Sequence, residues 1–324
     1  MSGRYIAHIL NLCDVNAGLP YALIPDFVLR RASDMERKFI SNFLRRSYIG
    51  PQGMNHYEYQ WSFAHGRSAA LESDPLKWRY YVIDFPAKDY EPFPNKETRC
   101  AHFELAALVS QACLQWTVVS CENPEHVWHA LSYNPQLLFA SRDYLNHMLD
   151  SVKAVPTISP EQLEDVTRSF NALITLAPSQ SLIIDGIRRF RESFRLSVWS
   201  PFRVLSLFAC IEFLVTHDPD RRKGDDAISR QIKSKLPLLS KRFSRPLTPE
   251  DVFPACGERG WELLYRYRSL IAHGGKIDFK LPADGGLKEL VGHKEVLFFL
   301  EEFTRRLLRQ ALNEPVLYLD LKRC

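Results

Sequence analysis

Residues 261–275, Trp-Glu-Leu-Leu-Tyr-Arg-Tyr-Arg-Ser-Leu-Ile-Ala-His-Gly-Gly, leave little choice of local structure. Leu263, Tyr267 and Leu270, with Leu264 and Ile271 beside them, form an apolar stripe at helical spacing. Glu262, Arg266, Ser269 and His273 fall on the opposite face. Gly274-Gly275 predicts where the helix stops, because glycine enters the left-handed cap conformation without penalty. Upstream, Thr248-Pro249-Glu250-Asp251 is a start signal: a hydroxyl N-cap, proline at the first helical position, then two acids. Gly257 and Gly260 interrupt the run, so its continuous part is expected from near Trp261. A one-sided helix of this kind needs other elements to cover its stripe.

The same periodicity predicts helices at 161–176, 179–196, 200–216, 226–239, 250–273 and 287–312. Ser200-Pro201 repeats the pairing of N-cap and proline. The first half reads differently. Residues 5–10 and 80–85 have strand character, 33–44 reads as a helix, and 103–119 as a helix or a buried mixed segment. Pro-rich 86–95 is expected to be a surface loop. Residues 153–160, with two prolines and small side chains, make the best linker. The expected fold class is therefore α+β: a mixed α/β domain over 1–152, then an all-helical domain over 161–324.

Seven cysteines without a Cys-x-x-Cys pair argue for a reducing compartment and against a disulfide scaffold. No secretory signal is apparent, and no run reaches the ~18 apolar residues of a membrane span. A cytoplasmic protein with no membrane partner is expected. The net charge of +4 is uneven: residues 1–160 carry 15 Lys+Arg against 16 Asp+Glu, and residues 161–324 carry 27 against 22. The excess clusters at Arg188, Arg189, Arg191 and Arg195, at Arg221-Arg222-Lys223, and at Lys233, Lys235, Lys241, Arg242 and Arg245. Such clusters suit a polyanion, although each also reads as a solvated helix face.

Arg268 and His273 carry the chemistry. An imidazole can move a proton at neutral pH, and a guanidinium can hold charge building on phosphorus. Together they suffice for RNA cleavage without a metal or cofactor. Five residues of ideal helix turn by about 500°, which sets the two side chains roughly 140° apart. A local unwinding, a bent Arg268 or a second chain would have to close that gap. A homodimer would pool two histidines and several arginines. Tyr265, Arg266, Ser269 and Lys276 are candidates for holding the RNA; Arg266 and Ser269 align with His273 best. Tyr265 and Tyr267 could stack on bases, though Tyr267 fits the core better. Glu212 stands alone in an apolar helix, either as a buried carboxylate paired with a core arginine or as the group that orients Arg268 or His273. The plainer reading of His273 is a helix cap. Ala64-His65-Gly66 repeats the Ala-His-Gly trio with Gln60 where an arginine would stand, so the trio alone carries little.

Other chemistry finds less support. His126 and His129 would share one face of a helix near Cys121, but no fourth ligand is evident and Trp128 suggests packing. Cys100 and His102 are weaker still. Phosphate-loop, dinucleotide-binding and nucleophile-elbow patterns are absent.

Three segments, in order, resemble the HEPN domains, particularly the Apea-like HEPN family. They are the apolar helix 204–214 with Glu212 near its end, the shorter helix 228–239, and 264–274, where Arg268 and His273 fit an Arg-x4-His motif. Asp26-Phe27-Val28-Leu29-Arg30-Arg31-Ala32 resembles a segment that often precedes such domains. The resemblance implies a dimerising helical bundle that often acts as a metal-independent endoribonuclease in toxin–antitoxin or antiphage systems. It implies RNA as partner, single-stranded or tRNA-like, and an N-terminal domain open to an activator or inhibitor protein. Some relatives are inactive. The alternative it leaves is a non-catalytic module that dimerises or senses a nucleotide, RNA or protein.

Overall fold

The computed structural model describes residues 3–9, 13–47, 61–62, 69–70, 80–90, 98–121, 128–130, 157–217, 228–281 and 286–323. The chain divides into two compact units, Met1–Phe170 and Asn171–Cys324. The division falls inside a helix, ten residues after the 161 at which the sequence pattern places the second domain. Together the two units make an α+β chain.

The first unit is built on six strands: β1 (Arg4–Ile9), β3 (Tyr21–Ile24), β4 (Phe27–Arg31), β7 (Tyr81–Pro86), β8 (Trp116–Cys121) and β9 (Trp128–Ala130). Two-residue pairs complete the strands: β2 (Asp14–Val15) beside β10 (Thr157–Ile158), and β5 (Trp61–Ser62) beside β6 (Ala69–Ala70). The main sheet runs β3-β4-β7-β1-β8-β9, antiparallel throughout. Its register lines up Leu29, Ile83, Ala7 and Val118 in one cross-strand row. All four are buried, as the two-residue period requires of a core face. Helices α1 (Asp34–Ser47), α2 (Arg99–Val109) and α3 (Pro160–Ile174) complete the unit's elements. Phe103 of α2 meets Phe27, Trp116 and Phe170, at ring centroids of 4.9, 5.9 and 6.5 Å, which brings α2 and α3 onto that face.

Sequence and structure agree on β1, β7 and α1. The ambiguous 103–119 resolves into α2, a turn and β8. The hairpin β3–β4, not foreseen, closes through Pro25 and Asp26, and Asp26 sits at φ 67°. Of the Pro-rich loop, Ala87–Asp89 forms a 3-10 turn, and 91–95 lie outside the described residues. His129 lies on a strand, which overturns the shared helical face; His126, the Ala64-His65-Gly66 trio and Arg221-Arg222-Lys223 lie outside the described residues.

On the opposite face of β1, burial pushes the His8 imidazole down to about 4, against the hydrogen bond that the ring donates to the Tyr81 backbone. An unfolded imidazole titrates near 6.5, so protonation is disfavoured in the folded state. The stability this neutral histidine contributes is full above pH 6.5 and is lost as pH falls toward 4, by about 3 kcal/mol. Replacing His8→Phe, which keeps a ring against Tyr80 at 5.5 Å, should flatten that window. Hydrogen exchange of the sheet amides at pH 7 and pH 4.5, wild type against variant, checks it. Carboxylate titrations common to both proteins cancel.

The second unit holds α4 (Ser181–Ser193), α5 (Pro201–Val215), α6 (Ile228–Ser240), α7 (Pro249–Val252), α8 (Gly260–Ala272), α9 (His293–Asn313) and α10 (Pro315–Leu321). Helix α5 packs against α4, α6, α8, α9 and α10. Its Val204, Leu207, Phe208, Cys210, Ile211, Leu214 and Val215 are buried, each large side chain contributing roughly 1.5–3 kcal/mol. At its C-terminus Lys235 donates to the Val215 carbonyl at 3.1 Å and Lys322 to that of Thr216, cations where the helix dipole favours them.

The start signal at Thr248 is real, with the Asp251 carboxylate accepting from the Thr248 N–H at 2.6 Å. Yet that helix lasts one turn: Phe253, the residue before Pro254, leaves the helical region at φ −123°, ψ 71°, and Gly257 at φ 50°, ψ −146° breaks the 3-10 segment that follows. The helix expected from 287 starts at His293. Lys288–Leu290 is a 3-10 turn, and Val291 at φ 63° ends it. Helix α10 was not foreseen.

Two glycines mark close approaches. A Cβ on Gly186 would meet Leu214 Cδ2 at 2.8 Å, and one on Gly260 would meet Pro249 Cβ at 2.3 Å. Leucine ends can swing away, whereas a proline ring cannot. Gly260→Ala should therefore cost about 1–3 kcal/mol. Gly186→Ala should be close to neutral, since helix propensity returns up to about 1 kcal/mol. Urea unfolding of both variants reads the difference.

Candidate functional site

Helix α8 presents the candidate residues. Of the predicted stripe, Leu263, Leu264 and Tyr267 turn inward and are buried, Leu270 and Ile271 nearer the helix end are half-buried, and Glu262 is exposed. Its end is a Schellman cap. The Gly274 N–H donates to the Ile271 carbonyl at 3.4 Å and the Gly275 N–H to that of Leu270 at 2.8 Å, with Gly274 at φ 67°. His273 is the C-cap residue, its backbone N–H on the Ser269 carbonyl at 3.0 Å.

Arg268 turns toward α5. Its Nε stands 3.3 Å from Glu212 Oε1, and its Nη2 donates to Oε2 at 3.4 Å. The guanidinium carbon lies 5.5 Å from the centre of the Tyr265 ring, which meets Phe208 edge-on at 6.0 Å. The arrangement is thus a ladder: Phe208, Tyr265, Arg268, with Glu212 alongside. Burial pushes the Glu212 carboxyl above its usual range, and Arg268 opposes the shift. The Tyr265 hydroxyl is raised too, first by burial and then by Glu212.

The structure brings together Arg268, Glu212 and Tyr265. It does not bring His273 to them: His273 is exposed, and its imidazole has no hydrogen-bond or charge partner among the described residues. Arg266 and Ser269 are half-exposed and Lys276 is exposed; no side-chain hydrogen bond or ion pair joins them to the trio. The separation follows from the helix rotation between positions 268 and 273. Helix α8 stays regular through Ala272, so no local unwinding closes the gap.

The basic clusters are largely engaged with neighbouring groups. Arg188, Arg191 and Arg195 stand 3.0, 3.4 and 2.6 Å from carboxylates, Arg242 is 2.6 Å from Glu314, and Arg189 covers the Phe213 ring at 4.2 Å.

One residue escaped the sequence reading. His293 accepts or donates at Nδ1 with the Tyr267 hydroxyl, 2.7 Å away, and at Nε2 reaches the Val198 carbonyl at 3.0 Å. A carbonyl can only accept, so Nε2 carries the proton and Nδ1 accepts from the tyrosine. The histidine thereby ties the start of α9 to α8 and to the segment before α5. Burial lowers its affinity for a proton and pushes the Tyr267 hydroxyl up to about 12. The available signal was Tyr267 itself, since a buried tyrosine hydroxyl needs a partner.

Compared with known protein families, curated proteins and solved structures, the chain gives no significant match.

Tyr267→Phe leaves His293 Nδ1 without its donor in a half-buried position and should cost about 1–3 kcal/mol. Urea unfolding measures the loss. A second reading comes from the ring: the Val198 carbonyl still holds the proton on Nε2, so the tautomer should stay and the ¹⁵N shift of Nδ1 alone should move when its donor is lost.

Proposed function

We propose that the second unit is a HEPN-type domain and that the chain is a metal-independent endoribonuclease. Its role would lie in antiphage defence or a toxin-type system. One observation supports the reading above others: the arginine and histidine of the motif stand on the last two turns of one capped helix, and that arginine is paired with the acid of the apolar helix. The three segments that carry the resemblance are α5, α6 and α8 of one helical unit.

In this mechanism the ribose 2′-OH attacks the adjacent phosphorus. His273 takes the hydroxyl proton, or gives a proton to the departing 5′-oxygen. Arg268 stabilises the charge on the phosphorane. Arg266, Ser269, Lys276 and Tyr265 hold the strand. The products are a 2′,3′-cyclic phosphate and a 5′-hydroxyl, so DNA is not a substrate. A homodimer supplies two histidines to one cleft, which answers the separation of Arg268 from His273 within one chain. A second reading, a non-catalytic module binding RNA, a nucleotide or a protein, is favoured by the engagement of Arg268 with Glu212.

In EDTA, wild type should cleave single-stranded RNA to cyclic phosphate ends. His273→Ala and Arg268→Gln should each lower the rate by about 10²–10⁴-fold with the fold intact. Equal cleavage by the variants would remove these residues from the site.

A further inference from the structure

Two arginine–glutamate pairs involve helix α5, and they differ in build. Arg203, 3% exposed, meets Glu301 at 2.7 Å, gives Nη1 to the Leu196 carbonyl at 3.0 Å and covers the Phe194 ring. That pair is short and closed. Arg268 keeps 27% of its side chain exposed, and both of its contacts with Glu212 are long, 3.3 and 3.4 Å. Charge-assisted N–H···O bonds usually close to about 2.7–2.9 Å. Both pairs hold a buried nitrogen and a buried carboxylate oxygen without a hydrogen bond, Arg203 Nε with Glu301 Oε1 and Arg268 Nε with Glu212 Oε1, so it is length and exposure that set the second pair apart. Arg268 Nη1 is neither bonded to a described residue nor among the buried unpaired atoms, so it stays open to an incoming acceptor. The guanidinium is thus held by opposite charge rather than by good geometry, with one edge open.

We propose that Glu212 is a lock on Arg268, and that a phosphodiester oxygen entering at Nη1 must displace the carboxylate before it can use the arginine's charge. The ribonuclease reading is needed only to say that the anion is RNA. The physical consequence is direct. While Glu212 is ionised, its charge cancels that of Arg268 for any anion a few ångströms away and repels the phosphate as well. The chain at rest is then a weak RNA binder. Glu212 faces Arg268 and Tyr265, both from α8, and its carboxyl is already raised by burial, so an arriving phosphate drives a proton onto it. RNA binding therefore takes up a proton. The second unit's net positive charge brings the polyanion near, and the lock sets what happens on arrival.

The test uses the full chain and a fluorescein-labelled, single-stranded 2′-O-methyl RNA, which cannot be cleaved. Glu212→Gln, close to the wild-type shape, should bind it at least about fivefold more tightly, since it removes a like charge beside the phosphate. Arg268→Gln should abolish that gain, and the double variant should match Arg268→Gln alone. Calorimetry in two buffers of different ionisation enthalpy should show proton uptake for wild type and less for Glu212→Gln. Glu212→Asp, whose shorter carboxylate draws back from the guanidinium, should bind with intermediate affinity, and it carries the test should Glu212→Gln fail to fold. Binding by Glu212→Gln, or by Glu212→Asp in that event, that is no tighter than wild type would overturn the lock. Cleavage of ordinary RNA is followed in parallel. Tighter binding without cleavage by any form sinks the ribonuclease and leaves the lock standing; cleavage without tighter binding does the reverse.

Discussion

Burial of α5 is the constraint on which the helical unit depends. Seven of its apolar residues are buried, and α4, α6, α8, α9 and α10 take their places by covering them, while Phe202 and Ala209 stay exposed. A helix so enclosed has few positions for charge, and each charge it carries needs a partner. Arg203 finds Glu301 on α9, and Glu212 finds Arg268 on α8. The first pair fixes one packing contact. The second brings an arginine to a partly open position beside the same core. The helix that organises the core thus also carries the acid that meets Arg268.

The first unit solves a different problem. An antiparallel sheet has two faces, and here one is closed by aromatic rings from α2 and α3. The other carries charge: Arg30 reaches both Glu36 oxygens at 2.7 Å and Asp84 at 3.3 Å. That network joins α1 to β4 and β7. His8 lies on the same side of β1, and its burial keeps the imidazole neutral at pH 7.

Much of this organisation was legible in the sequence, for reasons that can be located. Long amphipathic helices announce themselves by period, and α3, α4, α5 and α6 lie within a few residues of where the pattern puts them. The stop at Gly274-Gly275 was legible because glycine has a backbone reason to be there. The failures are equally physical. Residues 287–292 carry Leu287 and Leu290 at helical spacing, but Val291 takes a positive φ that no propensity foretells. The hairpin β3–β4 is too short for its alternation to stand out. In the site, an acid within an apolar helix implied a cationic partner, and of the two groups it could orient, Arg268 and His273, it meets Arg268, 56 residues away. That Arg268 and His273 diverge followed from helix rotation alone. That His293 binds Tyr267 did not, because a lone histidine at a helix start carries no pattern.

The Schellman cap has a mechanical meaning. Arg268 stands more than one turn further in, on a part of α8 that packs against α5. His273 rests on a cap made of two backbone hydrogen bonds at the margin of the fold. The cap can fray while the turn that carries Arg268 stays formed, so the backbone under His273 moves on the faster timescale of a last helical turn. The distance between them is an adjustable quantity of the folded chain, set by the cap rather than by the core.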